Sequence, residues 1–495
     1  MKLKRLISAA GAALLVISAI PVNTAFADQP QSVNDILTDG AFEYVNVEGG
    51  YKITKCTATI ITEIPALRNG VPIVEIGENA FAGFNGITDL TIPDSVKTIG
   101  AKAFYGCTSA KTITLPRNIK SIGDGAFVGC TGVESITLPD SLTEVGDNAF
   151  RKCDHVKEVK FGDNIAKIGD YAFYECTSLE KLELPASLSE IGELAFGELL
   201  SLNEITVGKS ENFAVDEGIL TSKDKKEIYC AVSTLSGSLT IPEGTTVIKS
   251  GAFSAAAAVE EVFLPKSLST IENGAFSCQF TGELGYCSLL KKVKFSNGLQ
   301  TIGDNAFAYT SIESLDLPAT LTSIGNSAFK GCYALGKVII PDGVESIGDK
   351  AFLACDKLNS VSVPKSVRSI GEEAFGYTVD YTGETNEDGT KAVDIVKKSG
   401  FKMSVSSGSE AKKYAKDNDI SYTVKDRNLF KMAFIVLCIA LLAAAVVFGL
   451  VLMSRNRKTA TLAQKKVKKI EKEKAEEAAY KTIIDDSKDI NNSEK

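Results

Sequence analysis

Twelve copies of the dipeptide Ala-Phe are spaced through this chain in a near-fixed register, and that register leaves few folds open. The phenylalanines are Phe81, Phe104, Phe127, Phe150, Phe173 and Phe196, each 23 residues after the last. The series resumes at Phe253, Phe276, Phe307, Phe329, Phe352 and Phe375. Gly stands four residues before Phe in ten of the twelve units, and Lys249 and Glu272 replace it in the other two. A period in this range is the mark of stacked repeats, in which each unit buries its apolar side against the next.

One unit reads apolar-x-apolar-Pro-x-x-apolar-x-x-Ile-Gly-x-x-Ala-Phe-x-x-Cys-x-x-Leu-x-x, as in Ile136-Thr137-Leu138-Pro139 followed by Leu142, Val145-Gly146 and Ala149-Phe150. The apolar alternation predicts a short strand with one buried face. Pro ends the strand where no ladder donor is needed. Gly is expected to serve a tight turn or a positive φ. Ala leaves room beside Phe, and the twelve rings should form one buried file.

Six units carry Cys three residues after Phe: Cys107, Cys130, Cys153, Cys176, Cys332 and Cys355. A column of small buried thiols accounts for this spacing, because stacked positions project in parallel. A disulfide framework or a metal site are the alternatives, yet the chain has neither a Cys-x-x-Cys pair nor a His cluster. Cys278 and Cys287 lie close enough in sequence for a local bridge.

The units "IPDSVKTIGAKAFYGCTSAKTITLP" and "LPDSLTEVGDNAFRKCDHVKEVKF" resemble the BspA-type leucine-rich repeats of bacterial surface proteins, over roughly residues 71–376. The resemblance implies a β-rich leucine-rich-repeat solenoid of about twelve coils of about 23 residues. It also implies a role in adhesion to host proteins or other microbes. The chain departs from the pattern in lacking an LPXTG-like sorting motif.

Two segments place the repeats relative to a membrane. Lys2, Lys4 and Arg5, then apolar Leu6 to Ile20, then Ala25-Phe26-Ala27 predict a signal peptide over 1–27, with cleavage before Asp28 favoured over an uncleaved anchor. Met432 to Met453 is an uncharged apolar run followed by Arg455, Arg457, Lys458, Lys465, Lys466, Lys468 and Lys469. At about 1.5 Å per residue it reaches across a hydrocarbon layer of about 30 Å. The positive flank predicts a cytoplasmic tail at 454–495 and an extracellular solenoid. The remaining expected parts are an N-terminal cap at 28–75, the solenoid at 76–376, an acidic loop and C-terminal cap at 377–424, and a juxtamembrane stretch at 425–431. Lys465 to Tyr480 has the charge spacing of a helix; it is read as a solvated anchor or as a docking segment for a cytoplasmic partner.

Between Phe196 and Phe253 the interval is 57 residues. Turn signals at Asp216-Glu217-Gly218 and Lys223-Asp224-Lys225 predict an inserted β-hairpin near 208–240. Ser409 to Asn418 is a short helix candidate, with a strand from Ile420 to Val424 after it. Asp380 to Gly389 is expected to be a solvated acidic turn, because it lacks the ligand register of a calcium loop.

Chemistry is not apparent. His155 is the single imidazole and falls in a variable turn. P-loop, Gly-x-Ser-x-Gly and His-Glu-x-x-His motifs are absent from the sequence. We therefore expect no enzyme, no cofactor and no metal site. The net charge of −8 argues against nucleic acid. The expected ligand is an extracellular protein, ahead of a glycan given that the chain has no Trp. A receptor or scaffold acting through the tail is the alternative. The middle residue of each strand should point outward, giving Thr91, Thr114, Thr137, Lys160, Glu183, Thr206, Phe263, Lys294, Asp316, Ile339 and Ser362 as one continuous face. Phe263 and Ile339 are the expected anchors of an extended partner, Lys160, Glu183, Lys294 and Asp316 are the other expected contacts along the face, and the C-terminal half is expected to contribute most.

Overall fold

The computed structural model describes residues 37–277, 289–385, 391–425 and 427–490. The proposed signal peptide, the proposed Cys278–Cys287 bridge and the end of the acidic turn at 386–390 lie outside them. The chain divides into two units, 1–424 and 425–495.

The first unit is a β-solenoid of about 15 turns, somewhat more than the dozen Ala-Phe copies alone suggest. Each repeat contributes two short strands. One is the face strand, such as Ser135–Thr137, Glu158–Lys160, Lys181–Leu184 and Glu204–Val207, stacked in parallel. The other is a two-residue edge strand containing the Ile of Ile-Gly, such as Thr98–Ile99, Ser121–Ile122 and Glu144–Val145. A third backbone ladder runs through the Phe positions. The Phe104 N–H donates to the Ala126 carbonyl at 2.8 Å, and the same bond recurs from Phe127 to Ala149 and from Phe150 to Ala172. The further turns come from the ends and the insert. Gly50–Cys56 of the N-terminal cap pairs in parallel with Val71–Ile76, and Glu227–Ala231 of the insert pairs with Val247–Ile248.

The twelve Phe rings are all buried. They form two stacked files rather than one. The first runs from Phe81 to Phe196, with neighbouring centroids 5.0–6.1 Å apart. The second runs from Phe253 to Phe375 at 4.9–5.5 Å. Burying each ring contributes roughly 1.5–3 kcal/mol. The core itself divides at the same place. Phe213, Leu220 and Cys230 of the insert pack on the first half, while Ile219, Ile228 and Ala231 pack on the second.

The repeat glycine has a different reason from the expected one. A Cβ built on Gly100 would stand 2.7 Å from the Glu78 nitrogen and 2.8 Å from the Gly77 carbonyl carbon. Close stacking of the coil corner, not φ, excludes a side chain there. Positive φ occurs two residues before each of the twelve Phe instead, at Asn79 (φ 54), Lys102 (φ 52), Tyr171 (φ 57) and Leu194 (φ 52) among others. Most of these are not glycine, so the fold holds them in the left-handed region against a local preference.

The six column cysteines are buried and free. Each thiol lies against the Phe carbonyl of the preceding coil, as Cys130 to Phe104 at 3.3 Å and Cys153 to Phe127 at 3.3 Å. Thr310 takes the same column position and its hydroxyl contacts the Cys332 sulfur at 3.3 Å. A small side chain with a weak donor suits this column.

The inserted segment has three strands, Phe213–Asp216, Ile219–Ser222 and Glu227–Ala231, not two. Positive φ at Glu217 (47) and Gly218 (78) makes its first turn. The stretch expected to be an acidic loop is an antiparallel pair, Tyr377–Thr385 with Lys391–Lys397. Alternation at Val379, Ile395 and their neighbours outweighs the acidic residues. At the C-terminal end the helix Glu410–Asp417 is capped by Ser409, whose hydroxyl accepts the Lys412 N–H at 3.2 Å.

The second unit is one helix, Arg427–Ile490. Its 64 residues extend about 96 Å. Phe434, Leu441, Leu442, Val447, Phe448 and Met453 are exposed around it. The helix is long and apolar enough to cross a membrane.

Candidate partner-binding face

In the face strands the central residue is buried and its two neighbours are exposed, because successive side chains alternate across a pleated strand. Register then sets the order of the outward column. Thr137 lies opposite Lys160, Lys160 opposite Glu183, and Glu183 opposite Thr206. In the second half Phe263 lies between Thr240 and Lys294, and Ile339 lies opposite Ser362. Asp316 comes immediately after the strand Ser314–Leu315. Thr240, in the strand Ser236–Thr240, is an outward position absent from the expected face, although Leu239-Thr240-Ile241-Pro242 precedes Ala252-Phe253 at the repeat's own spacing.

The column is not continuous. The face strand Glu204–Val207 ends one sheet and Ser236–Thr240 begins another. The expected residues therefore fall into two groups, with Lys160 and Glu183 on the first sheet and Phe263 and Lys294 on the second. Asp316 and Ile339 belong to a further stack of strands beginning at Ser314. The two anchors also differ. Ile339 is 54% exposed, whereas Phe263 is half-buried.

Charge on this face is arranged in pairs. Lys160 is 3.6 Å from Glu158, Lys181 is 2.9 Å from Glu204, and Lys292 is 3.6 Å from Glu261. All are substantially exposed, so each contributes little to stability. They leave a mixed polar surface on the first and second sheets, while Ile339 stands exposed on the further stack.

The break between the halves continues along the other two ladders. Each Phe N–H from Phe81 to Phe173 bonds the next coil, but among the described residues Phe196 N–H has no such bond. A cleft of about 360 Å³ opens there, lined in part by Glu193, Tyr229, Lys249, Ser250, Glu272 and Asn273. Glu193 crosses it, accepting from Asn273 Nδ2 at 2.9 Å and Ser250 Oγ at 3.4 Å. Lys249 and Glu272 pair at 2.9 Å. These are the two residues that replace the repeat glycine. The sequence signal for this seam was therefore present, in the loss of Gly at two successive coils.

Other chemistry-bearing groups sit apart. His155 is exposed, its Nδ1 2.5 Å from the Thr131 carbonyl. Burial pushes the thiols of Cys176 and Cys332 up to about 12. Among the described residues no cluster of three His, Cys, Asp or Glu is placed to hold a metal ion.

The family model for the BspA type leucine rich repeat region matches residues 74–203, 225–284 and 282–382 in six copies. This chain belongs to that family. A leucine rich cell surface protein from Faecalibacterium prausnitzii has a similar structure, with 29% identity, a TM-score of 0.55, and coverage of 68% of this chain and 95% of that one. The pneumococcal vaccine antigen PcpA shares the fold at 24% identity and a TM-score of 0.58, over 79% of this chain and 98% of its own. Among curated proteins nothing matches.

Proposed function

We propose that this chain is a membrane-anchored surface protein whose solenoid binds an extracellular protein along its face strands, in adhesion or contact with host or microbial surfaces. The observation that carries the reading is Ile339, an apolar side chain 54% exposed in a run of outward positions that are polar apart from it and Phe263. Phe263, three coils earlier in the same column, is the second anchor. A face of stacked strands is the surface that solenoids commonly present to partners. The similarity to a cell surface protein supports the location. The apolar helix supports the anchor, and the basic residues from Arg455 onward support a cytoplasmic tail.

The test is a pull-down of candidate surface proteins with the full chain in detergent, repeated with Phe263→Ser and Ile339→Ser together. Loss of a specific partner in the folded double variant supports the reading, and undiminished binding removes the face from consideration. A second reading is favoured by one feature: the helix continues without interruption past the apolar run to Ile490. A scaffold acting through that rod would lose its cytoplasmic partner when residues 465–490 are deleted, while an adhesin would bind as before.

A further inference from the structure

The seam leaves two face strands with unpartnered edges. In the regular stack, alternate residues of a face strand direct both N–H and C=O to the coil before, and the others to the coil after. The Glu204 N–H donates back to the Glu180 carbonyl at 3.3 Å and the Gly208 N–H to Leu184 at 3.1 Å. Ile205 and Val207 therefore turn their backbone groups towards the seam. On the other side the Ile241 N–H donates forward to Phe263 at 3.0 Å. Leu239 and Ile241 face the strand Ala258–Phe263, so Ser238 and Thr240 turn their N–H and C=O back towards the seam. Among the described residues no hydrogen bond joins the two edges.

Two further observations mark Ser236–Thr240 as open. Leu239 is half-buried, whereas its counterparts Ile205 and Val262 are 5% and 1% exposed. The strand reads Ser-Gly-Ser-Leu-Thr, without the charge or proline that usually protects an edge. Its one irregularity is the register shift between Gly237 and Ser238, which leaves Ser238 to Thr240 in regular pairing. Phe263 lies opposite Thr240, one strand away from the edge.

We propose that this edge takes up an extended segment of the partner protein as an added strand. Backbone groups of Ser238 and Thr240 hydrogen-bond to the incoming chain, and its side chains reach over Thr240 to Phe263. Such strand addition draws affinity from main-chain bonds and specificity from alternate side chains. The inference rests on the partner-binding reading and names the form in which the partner binds.

The test uses the full-length chain in detergent and a displayed library of random twelve-residue peptides selected on it. Selected peptides are expected to slow amide hydrogen exchange at Ser238 and Thr240 at least tenfold. Ser238→Pro removes a donor that the fold itself does not use, and is expected to weaken peptide binding at least tenfold while Ser238→Ala binds as wild type. The exchange measurement needs no variant, so the proposal stays testable if the proline variant misfolds. Peptides that bind while Ser238 and Thr240 exchange as in the free chain overturn it. So does a library that yields no binder. If such peptides lose affinity for the Phe263→Ser, Ile339→Ser double variant alone, the face reading stands and strand addition falls. Concentration-dependent protection without peptide assigns the edge to a second copy of this chain, which also overturns it.

Discussion

The phenol of Tyr414 closes the backbone ladder of the phenylalanines, accepting the Phe375 N–H at 3.0 Å and donating to the Phe375 carbonyl at 3.0 Å. Phe375 is the last of the file, and the strands that continue the stack beyond it bring no further Phe of the file to take its backbone groups. A side chain from the cap helix does so instead. Tyr414→Phe keeps the ring and removes both bonds. Leaving a buried donor and acceptor unpaired costs about 1–3 kcal/mol per group. We expect a lower urea midpoint by circular dichroism, with hydrogen exchange rising first at Phe375.

The column thiols predict a pH dependence. Burial raises Cys176 and Cys332 to about 12 and Cys153 and Cys355 well above their ordinary value. The unfolded chain loses those protons from about pH 8.5 upward while the folded chain keeps them. The stabilisation is therefore complete below about pH 8.5 and falls as pH rises, at about 1.4 kcal/mol per unit for each such thiol. Urea midpoints measured from pH 7 to 10 should drop steeply. Replacing Cys153 and Cys176 with Ala should flatten the slope.

The same burial predicts how the thiols react. In the folded protein at pH 7.5, a thiol reagent should leave Cys107, Cys130, Cys153, Cys176, Cys332 and Cys355 unmodified. After denaturation, the counts with and without reductant are expected to differ by no more than the two thiols of Cys278 and Cys287; a larger gain on reduction contradicts the free column thiols.

Coil stacking predicts opposite outcomes two residues apart. Gly100→Ala forces a methyl against the Glu78 and Gly77 backbone and should destabilise by about 1–3 kcal/mol. Lys102→Gly, at φ 52, releases a left-handed side-chain conformation and should leave stability within about 1 kcal/mol of wild type. Paired urea titrations decide both.

The sequence by itself determined the repeat, and with it the strand–turn unit, the buried Phe and Cys columns and the alternation that exposes Ile339. Each of these follows from contact between neighbouring coils, and a period of 23 residues brings equivalent positions together whatever lies further away. The long apolar helix was equally legible, since its length and lack of charge are local properties. Tertiary structure alone decided where stacking stops. The insert divides one expected Phe file into two, opens the cleft under Glu193, and leaves the backbone of Ser238 without a hydrogen-bonded neighbour among the described residues; Lys249 and Glu272 mark the place in the sequence, but whether the ladders rejoin across it depends on how the insert packs. It also reassigned the repeat glycine, whose need comes from an atom one coil away. Tyr414 was invisible for the same reason: it satisfies Phe375 across 39 residues, and the need for it arises only where the stack ends.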